Sequence, residues 1–500
     1  MRRSVLEKEM AKRNAEMYPV FRKTSSVAAF LDTHKGLKNG EDQDQQSETL
    51  SGRIILRRTM GKIIFLTLQE DGSKVQVKIT KDSYQDFEFV KEHLRRNDII
   101  SVQGHPSRTP RGELTINAAK IDILVPCLHE TPDFNHLTDP DLRFRQRYLD
   151  MMVNKGVIDV FKTRAKVIKT IRGFLDEAGF TEVETPVLSF SVGGANAKPF
   201  LTQSESLNAH MALRIAPELY LKQLVIGGMD RVYEIGKNFR NEGIDGTHNP
   251  EFTMCEFYQA YSDYYQLMET TENLLKKIVF EVHNTYTIEV PFPKSKGKTV
   301  VIDFSKPFRR ISMVEELEKQ LQLKLPDLEK DGAVEFLQNI CKKYSLEFQT
   351  HETVPDLFDT IVGHFIESQC SEPTFLTDYP VFTSPLARRH RSKPGMTERF
   401  ELFIAGIEVV NSYTELNDPA IQRANFDLQR QFSNKDGFLK NLQTGENEDN
   451  YVKALEYGLP PTAGWGMGID RFVMLLTGKV SIREVVIFPA LKPKSHSEQQ

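Results

Sequence analysis

The sequence is poor in cysteine and tryptophan, with four and one respectively among 500 residues. Four cysteines are too few for a disulfide scaffold, and their spacing contains no Cys-x-x-Cys pair of the kind that binds zinc. Isolated thiols favour a reducing compartment, so we expect the protein to be cytoplasmic. The cysteines are Cys127, Cys255, Cys341 and Cys370.

Long apolar runs are also absent from the sequence. The longest uncharged stretches, 187–197 and 457–469, are short and contain glycine or proline. A membrane-spanning helix needs about 20 apolar residues. The first 19 residues carry Glu7, Glu9 and Glu16 and have no apolar centre, unlike a secretory signal. The sequence therefore predicts no membrane partner.

The formal net charge is small, at −4, and 39% of the residues are hydrophobic. This composition is typical of a globular chain, and the length corresponds to about two to four domains. The charge is unevenly distributed, because residues 51–126 carry 13 basic and 9 acidic residues while residues 127–500 carry a net −9. The small net charge therefore does not exclude a polyanionic partner.

Residues 50–126 are rich in β-formers and are divided by turn sequences such as Asp-Gly-Ser. They predict five short strands, with a helix at 84–96 between the third and the fourth. This order is typical of an oligonucleotide-binding (OB) barrel, although a small β-domain that only packs against its neighbour has the same pattern. The predicted strands lie at 52–58, 62–70, 74–80, 98–106 and 113–125.

The remaining segments have different characters. Residues 1–49 predict an extension with a frayed helix, an ordered piece around 27–31 and a flexible link, and residues 127–150 predict a second linker. Residues 151–493 predict an α+β domain, because strands and helices mix without βαβ alternation. We expect 494–500 to be a disordered tail. The large domain begins with a predicted amphipathic helix at 154–180, whose apolar face comprises Ile158, Phe161, Ala165, Ile168, Ile171, Leu175 and Ala178.

Three segments of the large domain carry functional residue types. In the first, a helix stops at Gly179 and Pro186 closes a strand. In the second, apolar strands at 232–239 and 252–261 flank a charged loop, and polar side chains share one face of the return strand. In the third, a glycine-rich loop leads into a helix at 469, which favours phosphate binding. Taken singly, the first is also a plain helix–strand corner, and the second is also a solvated hairpin.

In order and content these segments resemble the three motifs of class II aminoacyl-tRNA synthetases, at about 158–188, 231–261 and 464–477. The preceding OB domain is similar to that of the aspartyl, asparaginyl and lysyl subgroup. The segments GGANAKPF, LRIAPELYLK, ELFIAGIEVVNSYTELNDP and EYGLPPTAGWGMGIDR resemble the lysyl branch. The resemblance implies an OB barrel followed by a mixed, mainly antiparallel sheet flanked by helices. It also implies a homodimer formed through motif 1, and a reaction that joins L-lysine to lysine tRNA.

The resemblance also implies an ATP site with Mg²⁺. Arg240 and Arg471 are the implied catalytic residues, at the α- and γ-phosphates of ATP. Glu401 and Glu408 are the implied magnesium ligands, and their odd spacing requires a turn or bulge near 405–406 if both are to face one site. The implied ATP-binding residues are Arg240, Glu242, His248, Asn249, Phe252, Glu401, Glu408, Gly468 and Arg471.

The implied lysine pocket fits the chemistry of its substrate, an ammonium on a four-carbon stem that needs carboxylates and apolar or aromatic walls. An aspartyl or asparaginyl enzyme must instead place a cation near the side chain of its substrate, so acidic residues here favour lysine. The implied pocket residues are Gly194, Glu218, Glu256, Tyr258, Asn411, Tyr413 and Glu415.

On the OB barrel, Phe65 and Gln76 resemble the pair that stacks on and hydrogen-bonds the central anticodon uridine. Arg58 and Glu113 are further implied anticodon contacts. From the strand pattern alone Phe65 is a core residue. Residues 1–25 hold seven basic and three acidic residues and resemble a shortened tRNA-binding extension.

Two rival functions remain open at this point. The first is a ligase that lysylates a protein instead of tRNA, and residues 50–125 argue against it because such relatives lack the OB domain. The second is a paralogue that only binds nucleic acid or partners. Loss of Arg240, Arg471, Glu401 or Glu408 would indicate it, and all four are present. DNA is not an implied partner.

Overall fold

The computed structural model describes residues 2–133, 136–190, 193–195, 197–291, 299–349, 351–433 and 446–493. The chain divides into two compact units, Met1–His136 and Leu137–Gln500. The tail predicted at 494–500 lies outside the described residues. Within the described residues, every helix is too short or too polar to cross a membrane.

The first unit is built around a closed five-stranded barrel. Helices α1 (Arg2–Lys12) and α2 (Val27–Thr33) precede the strands, and α3 (Phe87–His93) lies between the third and the fourth. The strands are β1 (Glu48–Met60), β2 (Ile63–Glu70), β3 (Ser73–Thr80), β4 (Ile99–Arg108) and β5 (Leu114–Val125). Their order around the barrel is β1-β2-β3-β5-β4, which confirms the predicted OB barrel.

Alternation along the strands fills this barrel, since successive side chains of a strand point to opposite faces. In β2, Ile64, Leu66 and Leu68 are buried and the residues between them face outward. The N-terminal extension adds Leu6 and Phe30 to the same core. The link predicted to be flexible is hydrogen-bonded to β4, because the backbone N–H groups of residues 40 and 43 donate to carbonyls of residues 108 and 106. The extension therefore packs on the barrel.

The second unit begins with helices α4 (Pro140–Arg145), α5 (Arg147–Val153) and α6 (Val157–Glu177). Its further helices are α7 (Glu218–Ile226), α8 (Tyr264–His283), α9 (Met313–Leu321), α10 (Ala333–Lys343), α11 (Val354–Phe365), α12 (Pro419–Ser433), α13 (Glu446–Leu455) and α14 (Ile469–Thr477). Short 3₁₀ turns lie at Glu367–Gln369, Val381–Thr383 and Ile482–Glu484.

The described strands of this unit form three sheets. They are β6 (Thr181–Glu182), β7 (Leu188–Ser189), β8 (Leu201–Ser204), β9 (Ala209–Leu213), β10 (Arg231–Phe239), β11 (Glu251–Ala260), β12 (Thr287–Pro291), β13 (Thr299–Asp303), β14 (Arg309–Ser312), β15 (Thr374–Thr377), β16 (Arg399–Ile404), β17 (Ile407–Thr414) and β18 (Thr462–Gly468). The main sheet has the order β14-β15-β16-β17-β18-β11-β10-β6. Its outer pairs, β14/β15 and β10/β6, are parallel, and its inner pairs are antiparallel. The predicted mixed, mainly antiparallel sheet is thus confirmed.

Helix α6 covers the predicted amphipathic segment, but only part of the predicted apolar face is buried. Ile171 and Leu175 of that face are buried, whereas Ile158 is 43% exposed and Ala165 is exposed. Val160 and Val167, which were not predicted, are buried as well. The helix carries two apolar stripes, and its packing against α8 and α14 selects one of them. Because both stripes have helical spacing, periodicity alone does not identify the buried one.

Candidate active site

The centre of the main sheet brings three distant segments together. Strand β18 pairs with β11 on one side and with β17 on the other, both antiparallel. Glu256 and Asn411 both lie opposite Gly466, and Tyr258 and Tyr413 both lie opposite position 464. Residues directly opposite each other share a face of the sheet. The register therefore places four of the predicted pocket residues side by side, separated only by glycines.

The glycines at 464–468 form a strand, so the glycine-rich loop predicted there is wrong. A Cβ on Gly464 would lie 2.1 Å from Glu415 Oε1 and 2.6 Å from a ring carbon of Tyr258. Glycine is needed here because neighbouring side chains cover the strand closely. The helix predicted to start at 469 does begin there, as α14, with Gly468 as its N-cap residue.

A buried cluster of charges lies beside this strand. Glu218 is the first residue of α7, Glu415 follows β17, and the ammonium of Lys222 lies between them. Lys222 Nζ is 2.5 Å from Glu218 Oε1 and 2.5 Å from Glu415 Oε2. The hydroxyl of Tyr413 also donates to Glu218 Oε1, at 2.5 Å. The predicted acidic cluster therefore exists, and it contains a cation that the prediction lacked.

The side chain of Lys222 is fully buried and surrounded by aromatic rings. Its ammonium lies 5.9, 5.5 and 5.6 Å from the ring centres of Tyr258, Tyr413 and Tyr451. Burial alone would lower the pKa of Lys222, but the two carboxylates raise it above its ordinary value. Lys222 is therefore a charged ammonium. The sequence shows it only as one half of a Glu–Lys pair four residues apart, a common motif on exposed helices.

The third acid of the cluster, Glu256, has a different environment. It is buried and accepts a hydrogen bond from the Tyr258 hydroxyl at 3.2 Å. Among the described residues it makes no ion pair. Burial, and secondly the charge of Glu218, raise the pKa of Glu256 to about 8. Glu256 is thus a carboxyl whose ionised form would be stabilised by an added cation.

Gly194 lies at the edge of the same cluster. Its φ of +86° is in the left-handed region, and a Cβ there would lie 3.1 Å from Glu218 Cβ. Glycine is required on both counts. The loop backbone therefore passes directly over the start of α7.

The two predicted metal ligands lie on a hairpin. Glu401 is on β16 and Glu408 is on β17, joined by a turn at Ala405 and Gly406 with φ of +51° and +73°. A bulge follows Leu402. The predicted turn or bulge is confirmed, and burial together with Glu408 raises the pKa of Glu401 above its ordinary value. In the described part of the chain, no group of three or more His, Cys, Asp or Glu side chains could hold a metal ion.

Arg399, which was not among the predicted site residues, links Glu401 of this hairpin to Asn411 of the implied lysine pocket. Its Nη2 is 2.5 Å from Glu401 Oε1, and its Nε donates to Asn411 Oδ1 at 3.2 Å. The ring of Tyr379 lies 4.4 Å from its guanidinium. The only signal in the sequence is that Arg399 and Glu401 share a face of one strand.

Arg240 follows β10 and has carboxylates around it. Glu408, Glu242 and Glu256 all stabilise its charge, although burial lowers its pKa below the ordinary value. Its guanidinium lies 5.1 Å from the ring centre of Phe252. Its Nε is buried and has no hydrogen-bond partner among the described residues. Arg240 is thus a buried cation whose charge is stabilised by carboxylates of both the acidic cluster and the hairpin.

A chain of polar contacts completes this end of the site. Arg471 Nη1 lies 2.8 Å from Glu408 Oε2, and its Nη2 donates to His248 Nε2 at 2.9 Å. Because Nε2 accepts, Nδ1 of His248 carries the proton and donates to Asp245 Oδ2 at 2.8 Å. Asn249 is buried, and its side chain donates to the Glu251 carbonyl at 2.6 Å. Glu242 is exposed.

In the first unit, the outward face of the barrel carries the residues that the resemblance implies as anticodon contacts. Phe65 lies on the outward face of β2, half-buried and outside the barrel core, so the pattern-based reading of Phe65 as a core residue is wrong. In the strand register it pairs with Arg58 on β1 and Lys78 on β3. Gln76 shares its face and accepts a hydrogen bond from the Thr115 hydroxyl at 3.0 Å. Glu113 is exposed just before β5.

The chain matches known families over most of its length. Residues 139–492 match the family described as tRNA synthetases class II (D, K and N), and residues 48–124 match the OB-fold nucleic acid binding domain. The chain is similar to lysine–tRNA ligase cla4 of Cladosporium cladosporioides, with 43% identity over 497 residues that cover 96% of this chain and 82% of the relative.

Two further relatives carry the name probable lysine–tRNA ligase, cytoplasmic. The protein of Encephalitozoon cuniculi is 43% identical over 98% of this chain and 96% of its own length. That of Vairimorpha ceranae is 42% identical over 97% of this chain and 95% of its own length. Taken with the sheet, the barrel and the site described above, these matches show that the chain belongs to the class II tRNA synthetases of the D, K and N group.

Proposed function

We propose that the protein is a lysine–tRNA ligase, which activates L-lysine with ATP, releases pyrophosphate and transfers the lysyl group to the 3′ end of lysine tRNA. The observation that carries this proposal is the buried acidic cluster walled by tyrosines. An ammonium on an alkyl stem is the ligand that such a cluster stabilises best, because carboxylates balance its charge and rings contact its stem. The relatives with the name lysine–tRNA ligase support the same substrate.

Within the pocket, the residues divide by environment. We assign the side-chain ammonium of lysine to Glu256 and Tyr258, because Glu256 is buried without a described ion-pair partner. Glu218 and the backbone at Gly194 take the α-amino end of the substrate. The rest of the lysine-binding set, Asn411, Tyr413 and Glu415, forms the wall and floor.

Activation is the attack of the lysine carboxylate on the α-phosphate of ATP. The nucleophile is already ionised, so the protein contributes positioning and charge stabilisation rather than a general base. Arg240 is suited to bridge the carboxylate and the α-phosphate, since it faces both the acidic cluster and the hairpin. Arg471 is assigned to the γ-phosphate. The remaining ATP-binding residues are Glu242, His248, Asn249, Phe252 and Gly468, with the ring of Phe252 stacked on the adenine.

Magnesium fits the hairpin acids. Mg²⁺ is commonly held by one or two carboxylates together with substrate phosphates, rather than by a full set of protein ligands. Glu401 and Glu408 provide two carboxylates, and no described cluster provides three acidic, histidine or cysteine ligands. When bound, the ion would neutralise phosphate charge. The chain's own arginines, Arg399 and Arg471, hold the two carboxylates in place.

The barrel face is assigned to the anticodon of lysine tRNA. Phe65 offers a ring for base stacking, Gln76 offers an amide for hydrogen bonding, and Arg58 and Glu113 are further contacts. We assign anticodon binding to residues 50–126 and catalysis to residues 151–493, with an extension at 1–49 and a linker at 127–150. Phosphate contacts make the affinity for tRNA fall as salt rises.

We further propose a homodimer formed through 158–188. This segment exposes three apolar side chains to solvent. Their exposed fractions are 43% for Ile158 on α6, 39% for Val187 and 47% for Leu188. Exposed apolar groups in one segment are typical of a protein–protein interface. The reaction is assigned to the cytoplasm, as the names of two relatives indicate for those proteins. A monomeric mass at micromolar concentration would contradict the dimer.

The test of the function is ATP–pyrophosphate exchange with lysine, ornithine or arginine as the amino acid. We expect lysine to support exchange. Ornithine is one methylene shorter, and a methylene is worth about 1–3 kcal/mol in discrimination. The absence of lysine-dependent exchange would contradict the proposal. Charging of lysine tRNA in the same preparation distinguishes this enzyme from a ligase that modifies a protein.

A further inference from the structure

Lys222 has contacts that resemble those of a bound substrate ammonium. Two carboxylate oxygens, from Glu218 and Glu415, lie 2.5 Å from its Nζ. Three tyrosine rings lie within 6 Å of it, and its side chain is fully buried. The chain thus places one of its own ammonium groups inside the pocket that we assign to lysine.

The charges in this pocket can be counted. Glu218, Glu256 and Glu415 are each at least nine-tenths buried, and ionised they carry three negative charges. Lys222 carries one positive charge, which leaves two negative charges uncompensated. Free lysine carries two ammonium groups, while its carboxylate is assigned to Arg240. The pocket and the two ammonium groups of the substrate therefore balance only when Lys222 is included.

We propose that Lys222 is a positioning residue that acts as the internal counter-ion of the lysine pocket, holding Glu218 and Glu415 and setting the pocket charge to match the two ammonium groups of lysine. This inference rests on the proposed function. Glu415 then acts on the substrate chiefly through Lys222, since its Oε2 contacts Lys222 and its Oε1 lies against the strand at Gly464.

Removing the ammonium of Lys222 should favour protonation of the carboxylates in the pocket. Buried carboxylates without a cation take up protons, because burial and like charge both disfavour their ionised forms. A protonated pocket binds an ammonium poorly. The groups that face Lys222 are Glu218 on α7, Tyr258 on β11, Tyr413 on β17, Glu415 after β17 and Tyr451 on α13. Burial already raises the pKa of Glu415 above its ordinary value, and loss of the Lys222 charge should raise it further.

Four variants of the full chain test the proposal. Lys222→Met replaces the ammonium with an apolar side chain of similar length. Glu415→Gln removes one negative charge, and the double variant Lys222→Met/Glu415→Gln restores the original balance of two uncompensated charges. Lys276→Met is the matched control, because Lys276 forms another Glu–Lys pair four residues apart, with Glu272 on α8.

The measurements are the KM for lysine and the KM for ATP in ATP–pyrophosphate exchange between pH 6 and pH 9, with thermal unfolding midpoints. In Lys222→Met we expect the KM for lysine to rise about tenfold or more, with the KM for ATP within about twofold of the unchanged chain. We also expect the pH below which the KM for lysine rises to move up by about one unit. The control should change neither KM.

The double variant distinguishes charge balance from a purely structural ion pair. We expect its KM for lysine to be about fivefold lower than that of either single variant, and its pH dependence to return toward that of the unchanged chain. If Lys222→Met does not fold, Glu415→Gln is compared with the double variant alone, and we again expect the lower KM for lysine in the double variant.

Two results would overturn the proposal. One is a KM for lysine in Lys222→Met equal to that of the unchanged chain. The other is a double variant that binds lysine no better than Glu415→Gln. Both require lysine-dependent exchange by the unchanged chain in the same assay. Loss of that exchange contradicts the lysine specificity itself and is therefore distinguishable from failure of the role assigned to Lys222.

Discussion

The barrel face and the catalytic pocket use opposite arrangements of polar groups. On the barrel, Phe65 and Gln76 point outward from strands whose alternate residues form the core. In the pocket, Glu218, Lys222 and Glu415 are buried, and Lys222 forms an ion pair with each acid. Glu415 comes from a segment far along the chain from α7, which holds the other two. A surface of the first kind tolerates changes one residue at a time. A network of the second kind responds as a unit, because each charge sets the state of its neighbours.

The largest expected effect is the loss of ATP–pyrophosphate exchange in a variant of the catalytic pocket that still binds tRNA through the barrel. Arg240→Ala removes the buried cation assigned to the transferred phosphate, and we expect exchange to fall by about 10²–10³-fold, in line with the loss of one preorganised electrostatic contact. Binding of tRNA to the barrel should persist in this variant, as measured by filter binding. Exchange within about tenfold of the unchanged chain would contradict the role of Arg240.

The next prediction concerns the close packing of the pocket. In Gly464→Ala the new Cβ would lie within 3 Å of Glu415 and Tyr258, so side chains of the pocket must move. Overpacking costs about 1–3 kcal/mol, and we expect the KM for lysine to rise by roughly 10–100-fold. Gly466→Ala is the matched control, because its Cβ would meet Met254 Cε at 3.4 Å, the mobile end of a flexible side chain. Equal effects of the two variants would contradict this account.

A pH dependence should also distinguish the pocket from the barrel. Because burial raises the pKa of Glu256 to about 8, its carboxyl is mostly neutral below pH 7 and must lose a proton to bind an ammonium. Lysine affinity should therefore weaken as pH falls, by up to about tenfold per unit below pH 8. The KM for lysine measured from pH 6 to pH 8 checks this. Glu256→Gln should bind lysine weakly and show a flatter profile, and a flat profile in the unchanged chain would refute the assignment.

The smallest expected effect is on the barrel. Phe65→Ala removes one stacking surface, and we expect tRNA charging to weaken by about 1–3 kcal/mol while exchange is unchanged. Leu66→Ala is the contrast, because Leu66 is buried in the barrel core and its loss should reduce stability by about 2–5 kcal/mol. Equal loss of charging and exchange in Phe65→Ala would contradict the division between the two units.

Much of the architecture was predictable from local signals. Alternation and turn sequences predicted the five barrel strands. The turn at 405–406 followed from the odd spacing of Glu401 and Glu408 together with the shared metal site that the resemblance implied. Besides the reading of Phe65 as a core residue, two local predictions were wrong in whole or in part. The segment at 464–468 is a strand because it pairs with β11 and β17, and glycine is needed at 464 because Glu415 and Tyr258 cover it closely. The buried stripe of α6 was predicted only in part, since Ile171 and Leu175 are buried but Ile158 is exposed, because packing partners as well as periodicity select it.

The sequence alone determined the classes of residue at the site, the strand and helix signals, and the resemblance to class II synthetases. The resemblance implied the acids and arginines of the pocket, and their types match the chemistry of an ammonium and a phosphate. The presence of Lys222 and Arg399 at that site depended on the folded arrangement. Whether a Glu–Lys pair is a solvated helix contact or a buried counter-ion is set by the strands that pack over it, and these lie far away in the chain.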